Sequence, residues 1–192
     1  MAVDIEVSNV AEPSVESSAA AVEWAAIFGG AIAAVGISII LFTLGAGFGL
    51  SSISPWSFAN PSPTQFALGA GIWLIVMQWL SSALGGYLAG RLRTKWVGIR
   101  TDEVFFRDTA HGFLAWALAT LIVAVLFAVG STVAGAAGAA VVPGAEAPSA
   151  EALEQARQAA KSFSFYTSLS LLIGAFIAAA AGALGGFQRD DV

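Results

Sequence analysis

Long stretches without charged side chains set the pattern of hydrophobic and polar positions along the chain. They run between Glu23 and Arg91, between Asp108 and Glu146, and between Lys161 and Arg189. A helix needs about 20 apolar residues to cross the hydrocarbon core of a bilayer, so the first stretch can hold two such helices and the others one each. The pattern predicts four transmembrane helices, near residues 24–53, 65–90, 110–135 and 163–187.

Composition supports this prediction over the alternative, a soluble domain with a buried core. Of the 192 residues, 57% are hydrophobic and 11% are charged, against roughly 25% charged in ordinary soluble domains. The amphipathic helices of a soluble protein need a charged face, and the four predicted segments have none. The expected fold class is an all-α integral membrane protein, with its four transmembrane helices in a domain spanning residues 23–188.

The first 22 residues are acidic, and we expect them to form a mobile cytoplasmic tail. They include Asp4, Glu6, Glu12 and Glu16 but no Lys or Arg. A secretory signal peptide would begin with basic residues and would have a shorter apolar segment. The first predicted helix is therefore expected to stay in the mature protein.

Residues 144–162 are expected to form an outer loop with a short helix that extends the fourth span. Ser149 is a good N-cap, and Glu151 falls in the first turn, where the helix dipole favours an anion. Glu154 and Arg157 can pair at i,i+3 spacing. A solvated face and a partner-docking surface are both open interpretations of this helix.

The basic residues predict which side of the membrane each connection faces. With four spans, the N-terminus, the second connection and the C-terminus lie on one side. That side carries six of the eight Lys and Arg residues, five of them between Arg91 and Arg107 and the sixth at Arg189. By the positive-inside rule, this side is the cytoplasm.

Small residues four positions apart occur in every predicted helix. Residues at i and i+4 share a helix face, and small side chains let two helix backbones approach closely. The glycines predicted to be helix-packing positions are Gly45, Gly49, Gly86, Gly90, Gly130, Gly174, Gly182 and Gly186. Two interpretations stay open, a tightly packed single-chain bundle and an oligomer or complex with another membrane protein.

Two short internal similarities indicate a tandem repeat of helical hairpins. "LFTLG" at 41–45 matches "LFAVG" at 126–130, and "ALGGY" at 83–87 matches "ALGGF" at 183–187. These matches favour a parallel repeat, in which both hairpins have the same orientation in the membrane.

A few polar residues form the candidate functional cluster. Gln78 lies deep in the second predicted helix, where its amide needs a hydrogen-bond partner from another helix or a solute. Near the start of the third helix, Glu103, Arg107 and His111 share a face, and Asp108 precedes His111 by three residues. This second group is either a capped helix start with a salt-bridged face or an acid–base or ion-binding site.

Conventional catalytic, cofactor and metal motifs are not visible in the sequence. The chain has no Cys and one His, so a standard zinc site lacks its ligands. No nucleophile stands beside a base in the manner of covalent catalysis. "GAGFGL" at 45–50 lies inside an apolar segment without a preceding strand, which argues against a nucleotide-binding loop. We therefore predict no catalytic, cofactor-binding or metal residues.

Three segments carry a resemblance to a known family. They are "WAAIFGGAIAAVGISIILFTLGAGFGLSSISPW", "GGYLAGRLR" and "DEVFFRDTAHGFLAWAL", within residues 22–135. Together they resemble a family of uncharacterised bacterial inner-membrane proteins that are often labelled PhnA-like. The resemblance implies a multi-pass protein of the bacterial inner membrane, with both termini in the cytoplasm on the charge argument. No functional residue is transferred from it.

Three hypotheses about function follow from these observations. The first is a non-enzymatic accessory or assembly subunit that packs through small-residue helix faces. The second is a small channel or facilitator for uncharged solutes, motivated by Gln78, Thr120 and Ser131. The third and weakest is a membrane enzyme that uses the cluster at the cytoplasmic edge. The expected partners are the lipid bilayer and a second copy or other membrane subunits, with no nucleic acid.

Overall fold

The structure is a computed structural model that describes residues 21–52, 54, 60–96, 98–141 and 149–191. Residues 1–20 of the predicted acidic tail and residues 144–148 of the predicted outer loop lie outside this description. Within it the chain forms four helices, α1 (Trp24–Ser51), α2 (Pro63–Leu92), α3 (Thr101–Val141) and α4 (Ala150–Asp190). All four described helices are long and apolar enough to cross a membrane. This confirms the prediction of four apolar helices, while insertion and orientation stay predictions.

The helices differ in length from the predicted spans. α2 begins at Pro63 because a capping box closes its first turn, in which Ser62 Oγ accepts from Gln65 N and Gln65 Oε1 accepts from Ser62 N. α3 begins at Thr101, nine residues earlier than the predicted span. α4 begins at Ala150 and incorporates the helix expected in the outer loop. Hydropathy marks only the apolar part of a helix, so polar first turns are missed.

The helices pair as two antiparallel hairpins. In the first hairpin, Gly30 of α1 lies against Gly85 of α2, and the Trp73 indole N–H donates to the Leu41 carbonyl at 3.0 Å. In the second, Gly112 of α3 lies against Gly182 of α4. Because early residues of one helix meet late residues of the next in both pairs, each pair runs antiparallel.

The two hairpins point in the same direction. α2 and α4 are parallel neighbours, with Gly86 beside Ala178 and Gly90 beside Gly182. α1 and α3 are parallel neighbours too, since Ile27 packs near Ala115 in a small apolar cluster. Among the described residues, α1 and α4 make no contact with each other, so they occupy opposite corners of the bundle. A parallel tandem repeat requires two hairpins with the same orientation, and the two hairpins of this bundle have it.

Packing is uneven along the bundle. The buried residues of the described chain all lie in one half, which we call the basic half and which comprises residues 24–35, 81–92, 101–119 and 174–190 together with the connection at 93–100. The other half, called the distal half, comprises residues 36–51, 63–80, 120–141 and 150–173. In the basic half, glycine and alanine let the backbones touch. In the distal half, the described side chains are exposed or half-buried.

The basic half also gathers the described ends of the chain. Glu23, at the start of α1, accepts a hydrogen bond from Thr94 N at 2.7 Å, just after α2. Lys95 Nζ donates to the carbonyl of Asp190, the last residue of α4, at 3.0 Å. The start of α1, the α2–α3 connection and the end of α4 therefore share one end of the bundle, where the sequence concentrates its basic residues.

Candidate functional site

A buried ion pair lies at the end of the basic half. Arg93 directly follows α2, Asp108 lies in the second turn of α3, and each residue is 2% exposed. Arg93 Nε donates to Asp108 Oδ1, and Arg93 Nη1 donates to the carbonyl of Thr94 at 2.9 Å. Arg189 Nη1 of α4 lies 3.9 Å from the same Asp108 oxygen. One carboxylate thus connects α3 to the ends of α2 and α4.

Gly186 makes room for this carboxylate. A Cβ atom at Gly186 would collide with both carboxylate oxygens of Asp108. The absence of a side chain at that position is what allows the carboxylate to lie against α4. Gly186, predicted as a helix-packing position, has its backbone nitrogen beside Gly90 of α2, and the side on which its Cβ would lie faces the Asp108 carboxylate.

His111 joins the start of α1 to α3. It is 1% exposed, its Nε2 accepts from the backbone N–H of Glu23 at 2.8 Å, and its Nδ1 lies 2.6 Å from the carbonyl oxygen of Arg107. A carbonyl oxygen can only accept, so Nδ1 carries the proton, and Nε2 must be free to accept. Both ring nitrogens are occupied, and the geometry requires the neutral imidazole. We call Glu23, Arg93, Asp108, His111 and Arg189 the clasp.

Trp96 covers one side of the clasp. The guanidinium carbons of Arg93 and Arg107 lie 3.9 and 4.6 Å from the centre of its rings, and the His111 ring meets it edge-on at 5.9 Å. Cations over an indole face are attracted by the ring electrons. Arg107 also pairs with Glu103 at 2.7 Å, as their i,i+4 spacing predicts. Arg107 and His111 therefore pack against Trp96, and His111 ties this face to α1, while Glu103 stays exposed and joins the face through Arg107.

A separate polar cavity lies where the two halves of the bundle meet. Its volume is about 100 Å³, and its polar lining residues are Ser38, Gln78, Ser81, Ser82, Trp116 and Thr120. That volume has room for about three water molecules at roughly 30 Å³ each. The Trp116 indole nitrogen is buried and has no hydrogen-bond partner among the described residues. The cavity therefore offers hydrogen bonds at a depth where the surrounding bundle is apolar.

Gln78 lies in this cavity, but its described bond differs from the expected one. Its amide nitrogen donates to Ser82 Oγ at 3.4 Å, one turn further along the same helix, whereas we expected a partner on another helix. The amide nitrogen, Ser82 Oγ and Trp116 Nε1 all surround Gly174 of α4, at 2.8, 3.0 and 3.2 Å from where its Cβ would be. Gly174 makes space for this polar group.

The remaining predicted glycines fall into two classes. Gly86, Gly90 and Gly182 face the backbone of a neighbouring helix so closely that a Cβ would collide with it, and a Cβ at Gly45 would meet the Trp73 indole. A Cβ at Gly49 would make ordinary contact with Phe66 at 3.7 Å, and one at Gly130 would meet open space.

Sequence reasoning missed several residues that contribute to packing and to the clasp. Gly30, Gly85, Gly112 and Gly185 contact another helix backbone. The first two precede an alanine by four positions, a spacing that a wider search for small residues would have found. Glu23 and Arg189 were missed because their partners His111 and Asp108 lie far away in sequence, and Arg93 and Trp96 were missed because Asp108 and Arg107, which they contact, lie on the next helix.

Two further predictions concern polar residues. Thr120 lines the polar cavity beside Gln78, whereas the Ser131 hydroxyl is exposed and donates to the carbonyl of Ala128 on its own helix.

Among the described residues, no group of His, Cys, Asp and Glu could hold a metal ion.

The chain was compared with protein-family models, with curated proteins and with solved structures. None of these comparisons gave a match. The resemblance to the PhnA-like membrane proteins therefore stays a prediction from the sequence segments that carry it.

Proposed function

We propose that the chain is a non-enzymatic accessory or assembly subunit of a membrane-protein complex. It packs against another membrane chain through its distal half. The observation that supports this most is the uneven packing of the bundle. The small-residue faces in the basic half are already covered by helices of the same chain, because Gly86, Gly90 and Gly182 face neighbouring helices. A partner must therefore use the distal half, where the small residues are still uncovered.

The distal half has the features that helix association in a bilayer requires. A Cβ at Gly36, Gly47, Gly69, Gly71 or Gly130 would meet nothing within 4 Å. Around Gly47, α1 carries a shallow apolar groove of about 540 Å³, lined by Ile39, Ile40, Thr43, Leu44, Gly47 and Phe48. Since lipid tails are as apolar as these side chains, helices associate in membranes by close packing at small residues. On this proposal, a helix of a second membrane chain occupies the groove at Gly47.

The clasp supports a structural role for the polar cluster. Asp108 is neutralised by Arg93, and both nitrogens of His111 are already hydrogen-bonded. A general base needs a free acceptor within reach of a substrate proton. In this arrangement the cluster holds four helix ends together, which is the role expected in a subunit whose function is to present a rigid surface.

The groove predicts the outcome of one pair of variants. Gly47→Leu fills the groove with bulk and is expected to separate the chain from its partner without unfolding it, because nothing packs on Gly47 within the chain. Ala46→Leu adds a similar bulk one residue away, at an exposed position that does not line the groove. The size of the complex extracted in mild detergent is the measurement. Equal complex size for both variants and wild type would contradict the proposal.

The polar cavity favours a second candidate, a facilitator for small uncharged solutes. If solutes cross the bundle, they contact Gln78 and Thr120 at mid-depth. The close contact of Gly86 with α4 closes the basic half below the cavity, so this function requires the helices to separate there. On this hypothesis, proteoliposomes show urea or glycerol flux that falls in Gln78→Leu but not in Ser131→Ala. Flux no greater than in empty vesicles would remove this candidate.

A further inference from the structure

His111 is the only histidine in the chain, and its two hydrogen bonds require the neutral ring. The backbone N–H of Glu23 points at Nε2 from 2.8 Å, and Nδ1 donates to the carbonyl of Arg107. A protonated imidazole carries a hydrogen on both nitrogens and has no acceptor left for the Glu23 N–H. Protonation of His111 and its hydrogen bond to Glu23 therefore exclude each other.

This hydrogen bond holds the start of α1 from outside the helix. The first N–H groups of a helix have no partner within it, and the side chain of Glu23, the residue before α1, makes no capping hydrogen bond. The Glu23 carboxylate accepts instead from Thr94 N at 2.7 Å and from Thr94 Oγ1 at 3.1 Å, in the α2–α3 connection. Val22 packs beside a small apolar cluster. Among these attachments, the bond to His111 is the one that joins the start of α1 to α3 by a hydrogen bond.

Two positive charges lie near the imidazole. The guanidinium groups of Arg93 and Arg107 lie over Trp96, and the His111 ring meets the same indole edge-on at 5.9 Å. His111 is 1% exposed, so water and salt screen little of any charge placed there. An imidazolium in this position would be repelled by two guanidinium groups and would also have lost a hydrogen bond. Both effects are relieved when the start of α1 moves away and water reaches the ring.

Two carboxylates also lie near the imidazole, and both are already engaged. Asp108, on the same helix, pairs with Arg93 and lies 3.9 Å from Arg189 of α4. The Glu23 carboxylate is held by Thr94. To meet an imidazolium it would have to leave Thr94, and the Glu23 N–H would still lose its acceptor. Either response to protonation therefore breaks a contact that holds the start of α1.

We propose that His111 and the Glu23 N–H form an acid-sensitive latch, which holds the start of α1 against α3 while the imidazole is neutral and releases it when the imidazole is protonated. The closed latch binds one proton fewer than the open latch, so a fall in pH favours opening. An imidazole in water has a pKa of roughly 6.5, so acidification from about pH 8 to about pH 5 is expected to favour the open latch by about 30-fold. The latch does not depend on the accessory-subunit function, because it lies in the other half of the bundle from the Gly47 groove.

The test uses the full chain in lipid nanodiscs over the same pH range. Nitrogen NMR of ring-labelled histidine reports the protonation of His111 alone, since the chain has no other histidine. Hydrogen exchange of the Glu23 amide, relative to an unstructured peptide at each pH, reports opening because this N–H donates to Nε2. The imidazolium signal and a loss of Glu23 protection by about 30-fold are expected to appear together as the pH falls. Amides of residues 81–92, in α2 of the same half, are expected to stay protected and control for general unfolding.

His111→Gln is the matched variant. Its side-chain oxygen accepts hydrogen bonds and does not titrate, so the protection of the Glu23 amide is expected to be the same at both ends of the pH range. Three results would overturn the proposal: an imidazolium that forms while Glu23 stays protected, a ring that stays neutral at about pH 5, and an equal loss of protection in His111→Gln. The first two are measured on wild type and need no variant to fold.

Discussion

Asp108→Ala is expected to destabilise the bundle by about 3–5 kcal/mol, the usual cost of removing one partner from a buried ion pair. The reason is that Arg93 would remain 2% exposed with its charge uncompensated, and Arg189 would lose its second carboxylate. Thermal unfolding of the chain in lipid nanodiscs is the measurement. Helix ends from α2, α3 and α4 meet at this carboxylate, so all of them are expected to loosen together.

Two controls make this prediction specific. Glu103→Ala breaks a pair whose carboxylate side chain is 46% exposed, and it is expected to cost about 0–1 kcal/mol. Arg93→Met/Asp108→Leu removes both charges at once and is expected to recover most of the loss, because no buried charge is left unpaired. Equal destabilisation by Asp108→Ala and Glu103→Ala would contradict the buried clasp.

Gly86→Ala is expected to destabilise the chain even though alanine is the better helix former. A Cβ at Gly86 would collide with the backbone of Ala178, so α2 and α4 would have to separate. Overpacking of this kind costs about 1–3 kcal/mol. Gly69→Ala, on the same helix, meets open space and is the matched control. Its expected change is a gain of up to about 1 kcal/mol from helix propensity.

The same unfolding measurement distinguishes these two glycines. A loss of stability in Gly86→Ala together with a gain in Gly69→Ala would show that the backbones of α2 and α4 are in close contact at Gly86. A gain in stability for both variants would mean that the two helices do not approach each other at that point, and the packing described for the basic half would be wrong.

The helices were predictable from the sequence because apolar stretches of bilayer length leave few alternatives. Their bounds were less predictable, as α3 illustrates. Its first two turns carry the charged residues Asp102, Glu103, Arg107 and Asp108 and are still helical, and of these Arg107 packs against Trp96 and Asp108 lies beside Arg189 of α4. Hydropathy cannot register a polar helical turn whose stability comes from contacts with distant parts of the chain.

The candidate site was only partly predictable for a similar reason. Asp108 and His111 stand out as polar residues at the edge of an apolar helix, and with Ala115 and Ala119 they form one buried face at helical spacing. Their partners do not stand out, because Glu23 lies 88 residues from His111 in sequence. The glycine motifs have the same limit. The motif at Gly86 and Gly90 contacts α4, whereas Gly130 faces open space.

The mass of the wild-type chain extracted from its native membranes tests the central claim most directly. An accessory subunit is expected to appear by native mass spectrometry in a species well above the 19.5 kDa of one chain. The excess mass is expected to correspond to a second membrane chain or a second copy. A single chain carrying only lipid, across several mild detergents, would contradict the account and leave the facilitator as the remaining proposal.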